Sequence, residues 1–238
     1  MKDIEELIKS SKKYKKTVLQ KRLLSKKNTV AYVTIKDKPR VLKWFVPGFK
    51  KKMQVEYSVL KKGESKLNIP TVHKLDEDNN VLITSYIIGE NLCDIINDKE
   101  TDTKEKQRLM ILLSDWFINF HNFFKEDEKF MIRGDSSLRN FILTDRIWGV
   151  DFEDSRHGSP VEDIAGMCAS ILTTDPMFTK EKKQLCKIFI DSYLEKAPGR
   201  ILNINDEIAY SLLEKIQWRP EEEKTLREKS KEIREYGL

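Results

Sequence analysis

Two stretches decide the reading: Arg133-Gly134-Asp135-Ser136-Ser137-Leu138-Arg139-Asn140-Phe141-Ile142-Leu143, then Ile147-Trp148-Gly149-Val150-Asp151-Phe152-Glu153. Asp135 and Asn140 lie five residues apart across a polar loop. Asp151 follows a short apolar strand, 11 residues beyond Asn140. Three oxygen-bearing side chains are thus delivered from the ends of a short hairpin. One Asp alone would be a turn residue. Two carboxylates and an amide at this spacing suit phosphoryl transfer. One carboxylate orients the attacking hydroxyl and takes its proton, while a carboxylate and an amide hold Mg²⁺ against phosphates.

Upstream, Val41-Leu42-Lys43 puts a lysine inside a β pattern, where a charge is costly unless paired. Glu56 lies 13 residues on, in the helix that directly follows that strand. A strand lysine held by a helix glutamate is the phosphate-orienting ion pair of kinases. Alone, Lys43 reads as a solvent-facing strand lysine; with the downstream triplet it reads as functional.

The rest of the chain sets the architecture. Residues 3–13 read as a short helix. Strands are predicted over 17–24, 29–35 and 40–46, the last two separated by the turn Lys36-Asp37-Lys38-Pro39. Met53, Tyr57 and Leu60 repeat at helical spacing within 50–62. Two more strands, Pro70-Thr71-Val72 and Val81 to Tyr86, flank a turn at Asp76–Asn80. After Gly89 the pattern becomes helical: 92–97, 103–124, 160–173, 180–196, 206–217 and a charged tail over 221–236. Residues 131–158 read as loops with two short strands. The fold class is α+β, with a five-stranded antiparallel N-terminal lobe over 1–88 and a mainly helical lobe over 89–238.

These residues resemble the small-molecule branch of the protein-kinase-like superfamily, the aminoglycoside phosphotransferases and choline/ethanolamine kinases. The Gly-Asp-x-x-x-x-Asn loop and the Asp-Phe-Glu segment match, as does Gly158-Ser159-Pro160-Val161-Glu162-Asp163-Ile164-Ala165. Tyr86-Ile87-Ile88-Gly89-Glu90-Asn91-Leu92 resembles that family's inter-lobe linker. The resemblance covers about residues 17–196 and implies a two-lobed protein-kinase-like fold using ATP and Mg²⁺. It makes Asp135 the catalytic aspartate, Asn140 and Asp151 the metal ligands, and Lys43 the phosphate-orienting lysine paired with Glu56. Asp163 would brace the catalytic loop, and the backbone of Ser85, Tyr86 and Ile87 would hydrogen-bond adenine. Three departures stand out. Arg133 occupies a position that is usually His. The turn Ser25-Lys26-Lys27-Asn28-Thr29 has no glycine, so its backbone N–H groups with Lys26 or Lys27 are left to meet phosphate. Asp151-Phe152-Glu153 lacks the glycine of Asp-Phe-Gly, which favours small-molecule kinases over protein kinases.

Composition narrows the alternatives. The 238 residues carry 35% charged side chains and only 9 Gly and 7 Pro, which excludes collagenous, linker-rich and disordered classes. The longest uncharged runs, Asn79–Gly89 and Ile164–Thr174, are 11 residues each, too short to span a bilayer. The acidic start Met1-Lys2-Asp3-Ile4-Glu5-Glu6 does not read as a secretory leader. Cys93, Cys168 and Cys186 lie far apart and read as buried thiols of a cytoplasmic protein. His73, His121 and His157 are scattered, read as solvated, and form no zinc set. Glu221-Glu222-Glu223 reads as a helix-start acid cluster.

The net charge of +5 hides an asymmetry, +12 over residues 1–84 and −7 over 85–238. The leading expectation is a phosphotransferase acting on a hydroxyl of a small molecule, and the acidic second half is compatible with a cationic acceptor. The 87 residues after Asp151 are long enough to build an acceptor pocket. A small atypical protein kinase of the RIO type is the alternative. The basic first half, with Lys50-Lys51-Lys52, would then meet a nucleic acid or ribonucleoprotein. A kinase-fold binding protein with weak catalysis is the third reading.

Overall fold

Ala31 and Val33 alternate with more exposed neighbours, and that period of two sets which face of a sheet each side chain takes. The computed structural model describes residues 4–25, 27–197 and 201–238. The chain divides into two compact units, Met1–Ile88 with Asp151–Asp154, and Gly89–Val150 with Ser155–Leu238.

The first unit begins with α1 (Ile4–Ser10) and a 3₁₀ turn, Lys12–Tyr14. Strands β1 (Thr17–Leu23), β2 (Thr29–Ile35) and β3 (Lys38–Trp44) follow, then α2 (Lys50–Gly63), β4 (Val72–Asp76) and β5 (Val81–Ser85). All neighbours pair antiparallel in the order β1-β2-β3-β5-β4. Ala31 lies opposite Leu42, and Leu42 opposite Ile83. With Val33 and Val81, this row buries Ile4 and Leu7 of α1 and the ring of Tyr14. Lys43, one residue on, pairs in register with Val30 and Leu82, so the pleat turns it to the opposite face. On α2 the buried side chains are Met53, Glu56, Val59 and Leu60, so a helix-spaced carboxylate lies among apolar neighbours.

Two strand expectations move. The β2–β3 turn is only two residues, because Lys36 and Asp37 both take positive φ (51° and 60°), as a tight hairpin with the strands' own twist requires. Pro39 therefore lies in β3 opposite Thr34, and pairing with β5 starts only at Arg40, where a missing N–H no longer matters. The fourth strand runs Val72–Asp76 rather than over Pro70–Val72. Asp76, expected in the turn, instead accepts hydrogen bonds from the Tyr14 hydroxyl (2.7 Å), Asn79 (2.9 Å) and Lys13 (3.0 Å).

The second unit holds β6 (Glu90–Asn91), α3 (Leu92–Asn97), α4 (Thr103–Phe123) and β7 (Phe130–Ile132). A 3₁₀ turn, Leu138–Asn140, leads into β8 (Phe141–Leu143), β9 (Ile147–Gly149) and β10 (Arg156–Gly158). Helices α5 (Pro160–Leu172), α6 (Lys180–Lys196), α7 (Ile204–Glu214) and α8 (Glu223–Tyr236) complete it. Strand β8 lies between β6 and β9, and β7 pairs with β10. Helix α5 starts at Pro160, with the Glu162 carboxylate accepting the Ser159 N–H at 2.8 Å, a cap legible in the sequence. Its residues are buried on nearly every side because α6 and α7 both pack against it. The helix expected over 206–217 ends at Glu214 and continues as a 3₁₀ turn, Lys215–Trp218. The three cysteines are buried and unbridged. Among the described residues, no helix is long and apolar enough to cross a membrane.

Candidate active site

In the first unit, Lys43 gathers three carboxylates. Its Nζ donates to Glu56 Oε2 at 2.7 Å and to Asp151 Oδ1 at 2.6 Å, and pairs with Glu153 Oε2 at 2.7 Å. An ammonium has three protons, and each finds an acid. Burial alone would lower the Lys43 pKa, but the charges of Glu56, Asp151 and Glu153 outweigh it and hold the value above that of an ordinary lysine. Burial raises the Glu56 carboxyl above its usual value, with Lys43 pulling the other way. Glu56 also accepts the Phe152 N–H at 3.4 Å, which anchors the acid segment from both ends. Asp151 has a left-handed backbone, φ +63°, a conformation strained for most side chains and tolerated by Asp.

A lobe boundary after residue 88 places residues 151–154 in the second lobe. They pack with the first unit, because Lys43, Glu56 and Asn28 hold them there. Glu153 and Asn28 are members that sequence reasoning missed. Glu153 is buried and accepts from Asn28 Nδ2 at 2.5 Å, whereas its place in the sequence marks only a departure from glycine. Lys27 lies 3.6 Å from Asp154, which also accepts from Lys52. Lys26 lies outside the described residues. The Ser85 N–H donates to the Thr71 carbonyl at 2.9 Å, so of the predicted adenine-binding trio Ser85 serves the sheet. Tyr86 stacks on Tyr32, with centroids 4.4 Å apart and planes at 24°, and Ile87 follows it outside any strand.

The oxygens of Glu56, Asp151 and Glu153 lie within 4.8 Å of one another. Three carboxylates around one ammonium leave an excess negative charge in a largely buried place. Hard oxygen donors with such an excess fit a divalent cation of the Mg²⁺ type.

In the second unit, Asp163 organises the loop that carries Asp135. Its carboxylate is 1% exposed. Oδ2 accepts the Arg133 N–H (2.7 Å) and faces His121 Nε2 (3.0 Å), while Oδ1 accepts the Gly134 N–H (3.2 Å) and the Ser136 hydroxyl (2.7 Å). Burial would raise this carboxyl, but the bonds from His121, Arg133 and Ser136 outweigh it and hold it below the ordinary range. Gly134, at φ +77°, gives the loop a bend that L side chains resist. Asp135 is exposed, and Asn140 Nδ2 donates to its Oδ2 and to its carbonyl, both at 3.2 Å.

His121 corrects the sequence reading. It is fully buried on α4, between the Tyr193 hydroxyl (2.8 Å from Nδ1) and Asp163. A carboxylate can only accept, so His121 carries a proton on Nε2 and donates it to Asp163. Arg133 is also fully buried. Its guanidinium lies 4.7 Å from the Phe141 ring centroid and 5.3 Å from that of Trp116, and Nη2 donates to the Val150 carbonyl at 2.7 Å. A Cβ on Gly149 would meet the Trp116 ring at 2.4 Å and the Arg133 guanidinium at 2.7 Å, so the long side chain at 133 demands glycine there. His73 and His157 are exposed, as expected. Glu222 pairs with Arg219 at 3.2 Å, and the acid trio precedes or opens α8 as a helix-start cluster.

No family model matches the sequence, and no curated protein matches it. Solved structures do match. The aminoglycoside phosphotransferase APH(4)-Ia, in ternary complex with ADP and hygromycin B, is similar at a TM-score of 0.64 and 10% identity, over 98% of this chain and 98% of its own. The fold is protein-kinase-like. The aminoglycoside phosphotransferase APH(2″)-IIa, in ternary complex with streptomycin and ATP, shares it at a TM-score of 0.62 and 17% identity, over 92% and 89% of the two chains. Choline kinase from Cryptosporidium parvum does so at 0.56 and 14%, over 99% and 97%. The five-stranded sheet and the helical unit of this protein-kinase-like fold are those the sequence implied.

Proposed function

We propose that the protein transfers the terminal phosphate of ATP, with Mg²⁺, to a hydroxyl of a small molecule. The observation that carries this reading is Lys43 held by Glu56, Asp151 and Glu153 on the sheet face opposite α1. A lysine kept charged and fixed in direction is what a polyphosphate needs. Asp151 and Asn140 would hold the metal, with Glu153 as a further oxygen. Mg²⁺ bound there would offset charge on the phosphate oxygens.

The remaining work falls to the protein's own groups. Lys43 orients the phosphates and Glu56 orients Lys43. Tyr86 and Ile87 offer the adenine its backbone partners, and Lys27 adds positive charge near the phosphates. Asp135 accepts the proton of the acceptor hydroxyl as its oxygen bonds to phosphorus and ADP departs. Asn140 steadies that carboxylate, and Asp163 fixes the loop beneath it. Support for a small acceptor comes from the neighbours, which are solved with hygromycin B and streptomycin, and from the four helices α5–α8 that follow Asp151.

Calorimetric titration with ATP tests the reading. Useful affinity is expected only with Mg²⁺, since Asp151 and Glu153 repel bare polyphosphate. Equal affinity in EDTA would refute it.

A further inference from the structure

We infer that Asn28 is a positioning residue that fastens the glycine-free turn between β1 and β2 to the Lys43 cluster and thereby sets the affinity for nucleotide. The inference rests on the ATP reading above.

Turn residues usually face water, yet Asn28 is 7% exposed. Both ends of its amide are used. Nδ2 donates to Glu153 Oε2 at 2.5 Å, across 125 residues of sequence, and Oδ1 accepts the Val46 N–H at 3.3 Å. Its own N–H donates to Ser25 Oγ at 3.3 Å. One side chain therefore joins three pieces: the turn, the chain just after β3, and the acid segment. Glu153 carries the connection to Lys43, and Lys43 carries it to Glu56 and Asp151.

A turn rich in glycine keeps its freedom to approach a ligand through bare backbone. This turn has none, and its neighbouring charge, Lys27, is fixed beside Asp154. A preorganised turn costs less ordering when a polyphosphate arrives, so its fastening appears in binding. The bond is charge-assisted, which places it among the stronger hydrogen bonds. Its polarity is also readable: the amide must donate because the carboxylate can only accept.

That polarity gives the test. Asn28→Asp sets a carboxylate against Glu153. Three readouts are taken on the full chain: Mg-ATP affinity by calorimetry, exchange of the Val46 amide without nucleotide, and the urea midpoint. Asn28→Asp is expected to weaken Mg-ATP binding roughly tenfold to a hundredfold and to speed Val46 exchange. Asn28→Ala, which adds no charge, makes the same test with a smaller loss should the aspartate variant fail to fold. Wild-type ATP affinity in Asn28→Ala overturns the inference. A shift in urea midpoint with ATP affinity unmoved also overturns it, since the residue would then be structural only. Failure of the wild type to bind Mg-ATP sinks the ATP reading itself, and is seen without any variant. Val46 exchange unchanged by Asn28→Ala sinks the fastening alone.

Discussion

Asp163→Ala removes four acceptances at once, those from the Arg133 N–H, the Gly134 N–H, the Ser136 hydroxyl and His121. Two of the donors are backbone amides that no rotamer change can re-aim. A buried donor left unpaired costs about 1–3 kcal/mol, and neighbouring losses are less than additive, so the total comes to about 3–5 kcal/mol. For a chain of this length each kcal/mol lowers the melting midpoint by about 2–4 °C, which predicts a fall of roughly 6–20 °C. Urea and thermal unfolding followed by circular dichroism read this directly. Asp163→Asn should fall between, because the amide keeps one acceptor oxygen but turns an NH₂ toward donors. The pH dependence has a definite sign. The folded pKa of Asp163 is depressed, so its contribution is present above the unfolded value near 3.8 and fades as pH falls through the lower folded value. The gap between wild type and Asp163→Asn should therefore close under acid. A cost below about 1 kcal/mol for Asp163→Ala, within reach of a single ordinary hydrogen bond, would refute the bracing role.

Lys43→Ala and Glu56→Ala should lower kcat by similar factors, and the double variant should be little worse than either, because the pair acts as one unit. Additive losses in steady-state kinetics would separate them. Arg133→Ala should destabilise by about 3 kcal/mol or more, losing packing on two rings and the bond to Val150. Urea unfolding checks this, and a cost under about 1 kcal/mol would mean the guanidinium is only a filler.

Local signals carried much of this fold. Thr29–Ile35 is a strand in full because the stretch is rich in β-branched residues, and Lys180–Lys196 is helical over the range its apolar spacing gave. Lys43 with Glu56 was legible because a charge in a strand needs a partner and the next helix offers one. Asn28 and Glu153 were not, since 125 residues separate them and neither lies in a periodic pattern of its own. His121 is legible too, though not as a solvated residue. It lies one helical turn beyond Phe117 on the apolar face of α4, and that spacing already argued for burial. Asp163 was reached through resemblance; only the folded loop shows which four donors it collects. The short turn before β3 was obscured by Pro39, which marks turns more often than strands, yet lies where no partner needs its N–H.

The central claim is phosphoryl transfer to a small hydroxyl through Asp135. Incubation with terminally labelled ATP, Mg²⁺ and a panel of hydroxyl-bearing metabolites, run beside generic protein substrates, tests it most directly. The account predicts label on a small molecule with the wild type and almost none with Asp135→Asn, whose affinity for Mg-ATP stays close to wild type. Label confined to the protein substrates, or a small product formed equally well by Asp135→Asn, would contradict it.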